Sequence, residues 1–160
     1  MPKYGSYRIF PKERMIFEYH SGEIVIEDFI RSKEVISSDN EYNPDYDVII
    51  DIRDINIIFN YDDINKLVDF YKTYSPIKGN RKLAFLTKKP QHVVFTTLFS
   101  KGIDDTLVNA IFFSTAKAAA GWIINSTISV QIIKKIFEEL KKSSNTLYSS
   151  EEKDKCNIIT

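Results

Sequence analysis

Three residues near the middle of the chain invite a chemical reading: Asp51, Arg53 and Asp54. They follow the apolar run Val48-Ile49-Ile50, which reads as a central strand, so they are expected at its carboxyl end. Ligands of open α/β sheets bind in crevices beyond such ends. An arginine between two carboxylates could anchor an anion or polarise a substrate. The plainer reading is a charge pair that fixes the turn out of the strand. His20 and Glu18 are two apart in an alternating stretch, so they share a strand face and could pass a proton. No serine or cysteine in an elbow motif accompanies them, so a nucleophilic hydrolase is disfavoured. His92 follows Lys88-Lys89-Pro90 at the start of a helix and is expected at the surface. Lys78, Arg81, Lys82, Lys88 and Lys89 flank another strand and could meet an acidic group. Asp62, Asp63 and Asp69 lie on the preceding helix, which favours a solvated face instead.

Composition narrows these choices. The 160 residues carry 22 Lys plus Arg and 22 Asp plus Glu, a formal net charge of zero, which disfavours a dedicated nucleic-acid binder. Five glycines leave little for a Gly-rich phosphate loop. The single cysteine, Cys156, excludes an internal disulfide framework and a cysteine-cluster metal site, and two histidines leave little for a histidine-rich one. No metal and no cofactor are expected. Aromatic residues are plentiful, with 11 Phe, 9 Tyr and one Trp. Phe95, Phe99, Phe112, Phe113 and Trp122 could line a pocket for a small apolar ligand; core filling is the preferred reading, with Trp122 buried. The first residues lack a signal-peptide run, no apolar run reaches the ~20 residues of a membrane span, and Cys156 stands fifth from the end, where a prenylation box needs it fourth. A cytoplasmic location is the expectation.

The elements that must position these residues follow from periodicity. Tyr7 to Phe10, a turn at Pro11-Lys12-Glu13, and alternation through Met15, Phe17 and Tyr19 predict a hairpin that ends at Ser21-Gly22. Ile26, Phe29, Ile30, Lys33 and Ile36 predict an amphipathic helix over 25–37, with Lys33 the one charge in its stripe. A strand is expected over 46–52. Asn60 is then placed as the cap of a helix that carries Asp62 and Asp63 in its first turn and Ile64, Leu67, Val68, Tyr71 and Tyr74 on its buried side. Strand 83–86, a helix from Pro90 to Gly102, strand 107–113, a helix from Ala116 capped by Ser114 or Thr115, and a helix over 129–142 complete the order. Residues 143–160 read as a polar, disordered tail. Alternation of strands and helices implies parallel strands joined by right-handed crossovers, hence an α/β fold with helices packed on the sheet.

The hairpin, the helix after Ser21-Gly22-Glu23, the strand ending Asp51-Ile52-Arg53-Asp54, and the stretch from Ile111-Phe112-Phe113-Ser114-Thr115 to Trp122-Ile123 together resemble the SpoIIAA-like branch of the STAS-like fold. The likeness covers residues 6–125, within one domain over 1–142; the helix after 128 is additional. The resemblance implies a mixed sheet whose N-terminal antiparallel hairpin is followed by parallel strands. It also implies a non-enzymatic regulatory or interaction module that binds a protein partner or itself. Relatives in the wider group carry a phosphorylatable serine after the third strand, at the start of the next helix. Asn60-Tyr61-Asp62-Asp63 stands there, with no serine or threonine, so a phosphate switch at this point is not expected. Asn60 and Tyr61 join Asp51, Arg53 and Asp54 as candidate ligand- or partner-binding residues.

Overall fold

The computed structural model describes residues 2–123 and 128–148. Cys156 and residues 149–160 lie outside them. Strand β1 (Tyr4–Phe10) pairs antiparallel with β2 (Met15–Val25), and β3 (Asp47–Ile58), β4 (Arg81–Leu86) and β5 (Val108–Phe113) follow in parallel. Spatial order equals chain order, β1-β2-β3-β4-β5. Helices α1 (Ile26–Ser37), α2 (Tyr61–Thr73) and α3 (Pro90–Gly102) are the crossovers. Strands that advance in one direction through right-handed crossovers must carry all their crossover helices on one face. That face holds the larger core: Ile16 and Ile24 of β2, Val48, Ile50 and Ile52 of β3, Leu83 and Phe85 of β4, Phe29 and Ile36 of α1, Leu67 and Tyr71 of α2, and Phe95 and Phe99 of α3. Helices α4 (Ala116–Trp122) and α5 (Val130–Lys142) cover the opposite face, burying Phe17, Ile49, Ala84 and Leu86 against Ala119, Ile133, Phe137 and Leu140.

The mixed α/β sheet is the one read from the sequence, with three differences. First, β2 does not stop at Ser21-Gly22. It runs on to Val25, and Gly22 takes a φ of +90°, a conformation that glycine accepts without the Cβ clash of other residues. Second, β3 runs to Ile58, past the last β4 pair at Asp51 and Leu86. Between Tyr19↔Asp51 and Ser21↔Asp54 it uses three steps against two on β2, a β-bulge. The bulge shifts the phase of the apolar alternation, so Val48, Ile50 and Ile52 share a core face with Ile55 and Ile57. Third, the chain after α5 is not yet a disordered tail. Thr146 and Leu147 N–H groups both donate to the Gly5 carbonyl at 3.1 Å, Gly5 N–H donates to Asn145 Oδ1 at 3.1 Å, and Leu147 and Tyr148 are buried. A short cap thus wraps the outer edge of β1, from the α5 face to the α1 face.

Helix α5 packs in cis. Phe137 meets Phe17 edge-on at 5.7 Å, and the hydroxyls of Tyr4 and Ser6 donate to the Leu140 carbonyl at 3.0 and 2.8 Å. Trp122 is half-buried rather than buried, tilted against Phe113 with the Lys82 ammonium 5.3 Å from its ring.

Candidate functional site

The bulge in β3 sets the first constellation. Two successive residues of one strand normally face opposite ways, yet Arg53 and Asp54 both reach the α5 face, because the extra residue re-aims them. Asp51 is fully buried. Arg53 grips it with Nε at 2.9 Å and Nη2 at 2.8 Å, and the Arg53 backbone N–H adds a third bond at 3.1 Å. This two-pronged pairing raises the Arg53 pKa further above its ordinary value. Asp54 accepts from Tyr19 Oη at 2.7 Å and lies 3.5 Å from Lys141 Nζ of α5. Burial pushes the Asp54 pKa up, but the Tyr19 hydroxyl and the Lys141 charge outweigh it and the net shift is down. Burial, with Asp54 beside it, raises the Tyr19 phenol. The three residues therefore sit within the strand, not at its carboxyl end, and each carboxylate has an internal partner.

Asn60 and Tyr61 are not part of this group. They follow the end of β3, which places them more than about 20 Å of strand beyond Asp51, six paired steps to Ile58 at ~3.3 Å each. Asn60 caps α2 as read from the sequence: its Oδ1 accepts from the Asp63 N–H at 2.9 Å, and Asp63 returns the bond to the Asn60 N–H at 3.0 Å. Tyr61 is 74% exposed and Ile58 54% exposed, which makes an apolar corner there.

The second constellation lies on the α1 face. Glu18 and His20 of β2 project into the core beside Lys33 of α1, and all three are buried. Lys33 Nζ donates to Glu18 Oε1 at 2.6 Å and reaches Oε2 as well. His20 Nε2 lies 3.2 Å from Glu18 Oε2, and its Nδ1 is 2.7 Å from Tyr148 Oη. Burial opposes ionisation of Glu18, but the Lys33 charge and the His20 contact dominate and hold its pKa down at about 2. Burial pulls the Lys33 pKa down from its ordinary value. With Glu18 ionised, it accepts from an Nε2–H of His20, and in that tautomer Nδ1 accepts from the Tyr148 hydroxyl. Arg81, also buried, stands with its guanidinium 5.7 Å from the Tyr42 ring centre; its Nε and the Tyr42 hydroxyl have no hydrogen-bond partner among the described residues. The sequence separately marked Lys33 as a charge in an apolar stripe and Glu18 with His20 as face-sharing residues. A charge inside an apolar pattern needs a buried partner, and that rule would have joined the two. Nothing local pointed to Tyr148.

Other expectations change. His92 is buried, not at the surface: its Nε2 lies 3.0 Å from the Ile55 carbonyl and its Nδ1 accepts from the Lys88 and Lys89 N–H groups at 3.2 Å. Burial lowers its pKa. Arg81 leaves the proposed solvated face for the core. The aromatics do not line one pocket, because Phe95 and Phe99 lie on the α1 face while Phe113 and Trp122 lie on the α5 face. The space bounded by Phe29, Lys33, Leu67, Tyr71, Phe85, Phe95 and Phe99 is about 10 Å³, the room of a single water. An open cleft of about 670 Å³ does lie at the ends of β4 and β5, walled by Thr87, Lys88, Lys89, Phe112, Phe113 and Ser114, and Asp51, Arg53 and Asp54 do not line it.

No protein-family model and no curated protein matches the chain. Among solved structures it is similar to an uncharacterised protein of the DUF3478 family with a SpoIIAA-like fold from Shewanella loihica PV-4. The identity is 15% and the TM-score 0.48, over 75% of this chain and 92% of that one. The SpoIIAA-like, STAS-like arrangement read from the residues and the sheet order described above agree: an α/β protein with an antiparallel hairpin at one side and parallel strands after it. No helix among the described residues is long and apolar enough to cross a membrane.

Proposed function

We propose that the chain is a STAS-like interaction module of regulatory type that acts by association, in the cytoplasm, and not by catalysis. The observation that carries this reading is the internal commitment of the groups that could do chemistry. Glu18 is paired with Lys33 and His20, Asp51 with Arg53, and His92 with backbone groups, and Glu18, Asp51 and His92 are themselves buried. A general acid or base must reach its substrate within hydrogen-bond distance, and these groups reach one another. Among the exposed side chains are large apolar ones: Ile58 and Tyr61 at the β3–α2 corner, Leu107 just before β5, and Ile111 and Phe112 on it. Asn60 and Tyr61 belong to the partner-binding surface on this reading. Asp51, Arg53 and Asp54 support it from behind, by holding the bulge and α5 in place.

Native mass spectrometry of the full chain isolated from its own cells tests the reading. The expected result is a non-covalent protein assembly, with a second copy or another protein, and no bound small molecule. A stoichiometric apolar mass removed by organic extraction would replace it with a carrier of small apolar ligands. A bare monomer at every concentration, with turnover of any added substrate that Glu18→Gln abolishes, would overturn it.

A further inference from the structure

We infer that β5 is a self-pairing edge, and that a second copy of this chain docks on it antiparallel about a two-fold axis through Ala110. This deepens the interaction reading above and rests on it. The edge is regular, and only side-chain hydroxyls of its own chain meet its outward groups, Ser100 at the Ala110 carbonyl and Thr106 at the Val108 N–H, so the Ala110 carbonyl would share its second lone pair with a partner strand. All six residues of β5 pair with β4 without a register shift. The Thr87 N–H donates to the Phe113 carbonyl, so Phe113 faces the β4 side. Backbone groups alternate in direction along a parallel strand, which turns those of Val108, Ala110 and Phe112 outward. Two contacts bear this out: the Val108 N–H donates to Thr106 Oγ1 at 3.2 Å, and the Ala110 carbonyl accepts from Ser100 Oγ at 2.7 Å. A groove of about 360 Å³ runs beside the strand, walled by Ser100, Asp104, Thr106, Leu107, Asn109 and Ala110.

The devices that protect an edge strand are charges, proline, a bulge, or a cover. Leu107-Val108-Asn109-Ala110-Ile111-Phe112-Phe113 has no charge and no proline. Leu107 is 71%, Phe112 40% and Ile111 38% exposed.

The occupant follows from symmetry and charge. The outward residues 108, 110 and 112 are symmetric about Ala110, so a two-fold copy offers outward groups opposite outward groups, as an antiparallel ladder requires. The same register sets Val108 opposite Phe112 of the second copy, Leu107 opposite Phe113, and Asn109 opposite Ile111. Exposed apolar side chains thereby gain cross-strand neighbours. The strand starts beside exposed Asp104, with neighbouring Asp105 already paired to Lys72 at 3.1 Å, and ends beside exposed Lys117. Antiparallel pairing brings the acidic end of each copy to the basic end of the other. A parallel partner would set like against like.

Sedimentation and amide exchange on the full chain test this inference. The wild type is expected to sediment as a dimer across a concentration series, with the Ala110 and Phe112 amides gaining protection as the dimer forms. Asn109→Lys with Ile111→Lys sets like charges opposite one another and should give a monomer; Asn109→Glu with Ile111→Glu should do the same. An equimolar mixture of the two variants should restore a dimer. A wild type that stays monomeric overturns the inference and leaves a different protein as the partner. A wild-type dimer whose Ala110 and Phe112 amides exchange freely also overturns it, while leaving self-association through another face intact. The exchange measurement needs no variant, so it decides even if the variants fail to fold.

Discussion

At the β1 side of the sheet the outermost strand is capped by residues 145–148, and the interior behind it holds Glu18, His20 and Lys33. At the β5 side no segment of chain caps the outermost strand, whose outward groups meet only the Thr106 and Ser100 hydroxyls, and the interior behind it is aromatic: Phe95 and Phe99 stack with ring centres 6.4 Å apart, and Phe85 meets each edge-on. The two sides bury comparable side chains by different means. Apolar packing needs no particular partner and tolerates an open border. An ion pair in the core needs every member in place and water kept out. The cap and the polar cluster are therefore one device, joined by the bond between Tyr148 and His20, whereas the β5 side has no such dependence and can leave its edge for another chain.

If this contrast holds, the largest effect comes from unbalancing the ion pair. Lys33→Ala leaves a buried, ionised Glu18 without its cation and should cost about 3–5 kcal/mol in urea unfolding. The double change Glu18→Leu with Lys33→Met removes both charges and should recover most of that loss, as buried pairs replaced by apolar groups often do. Equal losses in the single and double variants would mean that packing, not charge, is what matters there. Leu147→Ala comes next, at about 2–4 kcal/mol for a buried leucine. A loss below about 0.5 kcal/mol, as for a surface residue, would show that the cap does not close the β1 edge in solution.

Much of this was legible in the residues, and the rest was not for identifiable reasons. Short-range patterns fixed α1, α2, α3 and α5, because an amphipathic stripe, the Asn60 cap, and Pro90 with Gly102 act within one or two turns. The change of phase from Ile52 to Ile55 was visible in the sequence, but only a long strand with a bulge gives it meaning. A strand that stops at Ile52 makes Arg53 and Asp54 look like loop residues. The polar cluster failed differently. Its members Glu18, His20 and Lys33 come from two elements and Tyr148 from a third, 128 residues from His20, so no local pattern connects them. The segment 143–148 is polar apart from Leu147 and Tyr148, and two apolar residues are too few to show a period.

Smaller effects refine the same comparison. Gly5 stands where the cap crosses β1, and a Cβ there would fall 2.6 Å from Tyr148 Cε2 and 3.0 Å from Leu147 Cδ1. Gly5→Ala should cost about 1–3 kcal/mol, the range of an overpacked core. It should also raise trypsin or chymotrypsin cleavage near Tyr148. An unchanged midpoint would mean that the cap rides freely. Acid should act on the β1 side too. Glu18 is held at about 2, below the ordinary carboxylate value of ~4.3. A depressed carboxyl stabilises the fold fully above the ordinary value, and that contribution is lost as pH falls through the folded value. Stability of the wild type should therefore drop more steeply between about pH 4 and pH 2 than that of the Glu18→Leu, Lys33→Met variant. Parallel curves would remove Glu18 from the account of acid sensitivity.

The smallest effect is expected at the open edge. Ile111 lies on β5 at 38% exposure, with its side chain on the α4 side of the sheet and its backbone groups turned toward β4. Ile111→Lys keeps the ladder to β4, because that ladder uses the main chain only. The long apolar stem of lysine can lie over the ground that isoleucine covered, with the ammonium in water. The stability of the isolated chain should then change by no more than about 0.5 kcal/mol, the range of ordinary surface substitutions. The measurement is urea unfolding at a dilution where wild type and variant are both monomeric, followed by the fluorescence of Trp122. A loss of about 2 kcal/mol or more would mean that Ile111 is covered in the single chain. The two borders of the sheet would then be alike in being closed, and the edge would no longer be free for a second copy.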